Sequence, residues 1–236
     1  MILRWGLTAL WIGVLVWPIW AGDTQVEDKA SREVREVVRQ LQARYEKTKD
    51  LQADFSQKTK IEGFDRPVMS AGKVYLKKPG RLRWDYLDPA SEQIYVNQDD
   101  VKVYVPEHKQ VLVGKLTQMA ASKAPLELLQ GAAKLDESFE IQPTTGTARG
   151  AGGIPLITLT PKDKEHEANQ NLQKIVVEVF PKTYFIRTVS LHEISGNVAI
   201  FEFSNLKPNL GLGNEVFDFN TPPDTEVVRA PVLNGP

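Results

Sequence analysis

The sequence contains no cysteine. That removes thiolate metal centres, cysteine nucleophiles, disulfide scaffolds and any lipid anchor attached through an N-terminal cysteine. Histidine is scarce: His108, His166 and His192 lie too far apart for a metal-ligand spacing. Neither sign of charge is in excess. With 29 basic and 30 acidic side chains the net charge is −1, which disfavours a polybasic nucleic-acid protein. There is no Gly-x-Ser-x-Gly elbow. The run Gly150-Ala151-Gly152-Gly153 is followed by a strand pattern, so it lacks the helix N-terminus that would cradle a phosphate. Asp99-Asp100 and the acidic residues near His166 sit in turn-rich sequence, and His192-Glu193 falls in a strand with no nucleophile motif nearby. These absences argue against an enzyme, and no metal or cofactor is expected.

What is present begins with a targeting segment. Arg4 is the single charge before Asp23, residues 7–17 form an apolar stretch, and Ile19-Trp20-Ala21 offers a small residue for cleavage. The run is short for a bilayer span, a permanent anchor being the alternative. The expectation is a signal peptide over residues 1–21 and a single exported, soluble domain over residues 22–236. Four of the five tryptophans fall inside the leader, leaving Trp84 alone beyond it. Composition is that of a globular protein, 42% hydrophobic and 25% charged over 236 residues, enough chain to bury a core.

Val34, Val37, Val38, Leu41 and Tyr45 recur at helical spacing, so one amphipathic helix is expected over about residues 29–47. After Asp50 the period switches to two. Leu51, Ala53 and Phe55 alternate with polar neighbours; Val68, Val74 and Leu76 share one parity; Leu82, Trp84 and Tyr86 alternate with Arg81, Arg83 and Asp85. Further strands are expected at residues 93–97, 101–105, 110–113, 138–142, 155–160, 172–180, 184–194 and 198–204. Turn signals such as Lys78-Pro79-Gly80 and Asn97-Gln98-Asp99-Asp100 separate several of them. Residues 116–130 suggest short helices, with Pro125 acceptable in a first turn and Gly131 as a stop. This is an antiparallel β-domain with few helices. Either a half-closed sheet around a cavity or an ordinary sandwich satisfies the periodicity. The basic residues Lys73, Lys77, Lys78, Arg81 and Arg83, interleaved with Tyr75 and Trp84, read as a solvated sheet face, or else as a docking patch for an acidic partner.

Several blocks resemble one family. Leu51-Gln52-Ala53-Asp54-Phe55-Ser56-Gln57, the continuous run from Gly72 to Tyr86, Val103-Tyr104-Val105-Pro106, Ala124-Pro125-Leu126-Glu127-Leu128-Leu129 and the run from Phe217 to Pro223 are similar, in order and spacing, to the periplasmic outer-membrane lipoprotein carrier proteins (the LolA family). The resemblance implies a mainly β (α+β) fold: a single antiparallel unclosed β-barrel of about ten or eleven strands, with an α-helical lid enclosing an apolar cavity. It implies a non-enzymatic, monomeric periplasmic chaperone that binds lipoprotein acyl chains. Its partners would be an inner-membrane lipoprotein-releasing ABC transporter and an outer-membrane lipoprotein receptor, with no nucleic acid. By the same resemblance Phe55, Val74, Leu76, Leu82, Trp84, Tyr86, Ile94 and Val96 would line the lipid site. Pro125, Leu126 and Leu129 would belong to the lid. Lys78 stands where many relatives carry an arginine that bonds lid backbone; lysine lacks arginine's planar fork of donors. A non-enzymatic periplasmic sensor or assembly factor on the same half-barrel is the alternative.

Overall fold

The computed structural model describes residues 21–115, 128–129, 135–145, 148–163 and 171–229. Residues 1–20 of the expected leader, together with Pro125 and Leu126, lie outside them. Helix α1 (Ala21–Glu46) starts earlier than the apolar stripe alone predicts. All five stripe residues, Val34, Val37, Val38, Leu41 and Tyr45, are buried.

The chain then forms β1 (Asp50–Lys60), β2 (Val68–Lys77), β3 (Arg81–Asp88), β4 (Glu92–Asn97), β5 (Asp100–Val105) and β6 (Gln110–Lys115) as successive hairpins. A four-residue helix, α2 (Leu135–Ser138), leads into β7 (Phe139–Pro143). The second half continues through β8 (Ile157–Pro161), β9 (Leu172–Val179), β10 (Ile186–Glu193) and β11 (Val198–Pro208). It ends with β12 (Glu226–Arg229).

All twelve strands lie in one sheet, in the order β12-β6-β5-β4-β3-β2-β1-β11-β10-β9-β8-β7. The two edge strands do not pair with each other, so the sheet is an unclosed barrel. Its two halves join where β1 pairs with β11. Two details correct the expectation of ten or eleven antiparallel strands. Among the described residues there are twelve, and β12 runs parallel to β6. β12 is four exposed residues held by its backbone ladder and a Gln110–Glu226 hydrogen bond, so no alternation marks it in the sequence.

One face of the curved sheet packs on α1, and the buried side chains of both form one continuous apolar cluster. Antiparallel strands with one buried face suit this arrangement, because the period of two delivers every second side chain to the helix. The expected helical segment over residues 116–130 is described only at Leu128 and Leu129, which are helical and buried. No helix among the described residues is long and apolar enough to cross a membrane.

Candidate functional site

The registers of β1 to β4 arrange the predicted lipid-site residues in rows across the concave face. The first row is Leu51, Leu76, Leu82 and Val96, and the second is Ala53, Val74, Trp84 and Ile94. The third is Phe55, Gly72, Tyr86 and Glu92. All eight predicted residues therefore share one face; seven are buried, and Tyr86 is partly so. Polarity enters only with the third row. Val68 keeps the parity of Val74 and Leu76 but is exposed, because β2 begins beyond the part of the sheet that is covered.

The second half of the sheet contributes residues that the sequence did not single out. Pairing of β1 with β11 sets Phe203 opposite Phe55 and Phe201 opposite Gln57. Around Trp84 they complete an aromatic cluster, with ring centroids 4.5 Å away for Phe55, 5.6 Å for Phe201 and 6.1 Å for Phe203. Such tilted and edge-on contacts are the favoured aromatic geometries. From the helix side Tyr45 is fully enclosed, its hydroxyl accepting the Ile186 amide at 3.4 Å, and burial pushes its phenol far up. Between helix and strands lies a small void of about 10 Å³, lined by residues including Tyr45, Leu51, Leu76, Leu129 and Phe203. That is about the limit for one water, and its apolar walls offer none of the partners a water needs.

Of the segment that Lys78 was expected to hold, only Leu128 and Leu129 lie within the described residues. The Lys78 ammonium donates to the Tyr45 carbonyl in the last turn of α1. A cation at a helix C-terminus complements the exposed carbonyls and the helix dipole. Partial burial pulls the Lys78 pKa down, with Glu46 opposing the shift.

The basic strip on the convex face proves to be neither open to solvent nor free for a partner along most of its length. Residues 212–219 cross it. Lys77 donates to the Leu212 carbonyl at 2.6 Å and to Asn214 at 2.9 Å. Arg83 bonds Asp85 at 2.9 Å and the Val216 carbonyl at 3.3 Å, between the rings of Tyr75 and Tyr95. Arg81 reaches Asp218 at 3.5 Å. Phe217 is buried, and Phe219 stacks against Tyr95 and Tyr104 beneath Lys102. An open groove of about 720 Å³ adjoins Tyr95, Lys102 and Phe219. It is wide and of mixed polarity, and it is separate from the concave rows, so the predicted residues point to the interior instead.

In the third row, burial pushes Tyr86 up to about 12, with Glu92 adding to the shift, and raises Glu92 as well. A raised folded-state pKa means that Glu92 favours folding only while protonated. That contribution is full below the unfolded value and is lost as pH rises through the raised folded one. Glu92→Gln is therefore expected to raise the thermal midpoint at neutral pH and leave it unchanged in acid. Melts of both proteins at the two pH values check this; a variant no more stable at neutral pH would show that the carboxylate is compensated.

A single curved sheet closed over an apolar interior by a helix has the form of a binding protein for hydrophobic cargo. Among the described residues no group of three or more potential ligands could hold a metal. The family described as outer membrane lipoprotein carrier protein LolA matches residues 46–220. The outer-membrane lipoprotein carrier protein of Nitrosospira multiformis is 27% identical over 80% of this chain and 86% of its own length. That of Methylococcus capsulatus is 29% identical over 79% and 85%. An uncharacterized conserved protein from Thermus thermophilus shares the fold, with a TM-score of 0.53 at 12% identity over 83% of this chain and 98% of that one. The chain belongs to the LolA lipoprotein carrier family. It is accordingly a non-catalytic periplasmic protein of the lipid- and lipoprotein-binding carrier type.

Proposed function

We propose that this chain receives lipoproteins from an inner-membrane ABC transporter and delivers them to an outer-membrane receptor, holding their acyl chains against the concave rows of β1 to β4. The observation that carries this reading is the interior itself: two full rows of apolar side chains on the concave face, buried in one apolar cluster with the α1 stripe. An acyl chain exposed to water costs about 0.8 kcal/mol per methylene, so a chain of roughly 15 methylenes costs on the order of 12 kcal/mol. Free diffusion across an aqueous compartment is excluded at that cost. A protein interior of membrane-like polarity removes it at both ends of the journey. Loading and unloading are then nearly balanced, and direction comes from an energy-consuming donor and a tighter-binding acceptor.

The test is reconstitution. Inner-membrane vesicles containing the transporter should release lipoprotein only when both ATP and this chain are added, and the released complex should pass its cargo to the purified acceptor. Release without the chain, or a complex that the acceptor cannot unload, would contradict the reading.

Lys78 offers a second handle. Its bond to Tyr45 favours the helix docked on the sheet, so Lys78→Leu should bias the protein toward the parted, cargo-holding arrangement. Loading should persist while handover falls; a bias of about 1.4 kcal/mol is tenfold in that partition. Lys78→Arg should transfer at least as well as the native chain. Handover by Lys78→Leu at the native rate would show that this contact does not govern closure.

A further inference from the structure

The rows that make the interior apolar end abruptly. Beyond Trp84 the same face carries Tyr86 and Glu92, and across β1 it carries Gln57. The Tyr86 hydroxyl donates to Gln57 Oε1 at 2.8 Å, and Gln57 Nε2 donates in turn to Thr59 at 3.0 Å. These bonds form a polar collar at the end of the sheet that bears the β1–β2 hairpin.

Trp84 stands at the boundary with its ring among Phe55, Phe201 and Phe203. Its Nε1 is the one buried side-chain nitrogen or oxygen among the described residues that lacks a hydrogen bond. The N–H lies near enough to the Tyr86 oxygen to oppose that phenol's upward shift, yet outside hydrogen-bond geometry. A buried donor without an acceptor is costly, and such groups are rare in native interiors. Phenylalanine would fill much of this aromatic niche without that cost. The indole is explained if an acceptor reaches it in another state of the protein.

We infer that the Trp84 indole N–H donates a hydrogen bond to an ester carbonyl at the head of the bound acyl chains. This rests on the carrier reading and adds the polar contact that sets how deep the cargo sits. Indole N–H is a donor only, and an ester carbonyl is an acceptor only, so the two match without any proton rearrangement. The chain methylenes then run along the first two rows, and the glyceryl linkage stands level with the collar. Diacylglyceryl esters occur on lipoproteins and on phospholipids alike; the shared chemistry is the carbonyl.

The probes are a dipalmitoyl-glyceryl-cysteine lipopeptide, its dialkyl ether analogue, which keeps the chains but removes the carbonyls, and phosphatidylglycerol with ester-linked chains. The native chain should bind the ester lipopeptide about tenfold more tightly than the ether, a difference of about 1.4 kcal/mol. Trp84→Phe should bind both alike, at about the affinity the native chain has for the ether. Because Trp84 is the one tryptophan after residue 21, the exported native chain should give a single indole N–H resonance. That resonance should move downfield with the ester and not with the ether, a readout that needs no substitution. An ester preference retained in Trp84→Phe, or an indole shift equal for ester and ether, overturns the inference while leaving the carrier reading intact. Binding of phosphatidylglycerol with no binding of either lipopeptide overturns the carrier reading itself.

Discussion

Gly72→Ala should lower the thermal midpoint of this protein sharply, and Gly72→Val more so. A Cβ built on Gly72 meets the Asp85 carbonyl oxygen at 1.8 Å and the Phe55 ring at 2.9 Å. The first of these is backbone on the neighbouring strand, where the β2–β3 register already shifts between Ala71 and Gly72. Asp85 cannot retreat cheaply, because its side chain is buried and bonded to Arg83. The Phe55 ring lies over the space a side chain would take, and it is fixed against Trp84 and Tyr86. Overpacking of this kind costs about 3 kcal/mol. In a domain of this size that is a fall of roughly 6–12 °C. Gly63→Ala is the control: its φ is +82° but nothing lies within 4 Å of the added atom. It should cost only about 1 kcal/mol, the left-handed backbone penalty. Melts of the three variants rank the effects, and a Gly72→Ala protein as stable as Gly63→Ala would mean that the bulge opens without strain.

The largest functional effect should come from tying α1 down. The void of about 10 Å³ beneath Tyr45 is too small for an acyl chain, so a chain held there requires the helix stripe to part from the sheet. Glu33 on α1 pairs with Arg149 of the β7–β8 connection at 2.6 Å. Both side chains are partly exposed, and with no native cysteine Glu33→Cys with Arg149→Cys gives a unique pair of thiols. Bridging them with a cleavable bis-maleimide should weaken binding of a diacyl lipopeptide at least tenfold, and cleavage should restore it. Unimpaired binding by the bridged protein would show that α1 stays put and that cargo enters elsewhere, for instance past Leu128 and Leu129.

The parts of this site that were legible in the sequence are those governed by local period. Leu51, Ala53 and Phe55, and Leu82, Trp84 and Tyr86, alternate cleanly, and turn signals at residues 78–80 and 97–100 fix which runs are hairpin neighbours. The rows of β1 to β4 follow from these facts. The helix stripe is equally local. What escaped depends on long-range register or on backbone atoms. Nothing near Phe201 or Phe203 reveals that β11 pairs with β1 and carries both to Trp84. The partner of Lys78 is a carbonyl, which has no residue signature. The convex basic strip reads as open face until residues 212–219 are seen crossing it, because covering by an irregular segment leaves no periodic trace. Periodicity also sets which face a side chain joins without setting how far the cover extends. Val68 shares the parity of the core and remains exposed.

The interior between α1 and the sheet should open to take acyl chains. Native mass spectrometry of the exported chain, isolated with one lipoprotein expressed in its lipidated form and again with its lipidated cysteine replaced by serine, tests it most directly. A complex of one chain with one lipoprotein is expected for the lipidated form, and none for the serine form. Equal capture of both forms, or of neither, would contradict it.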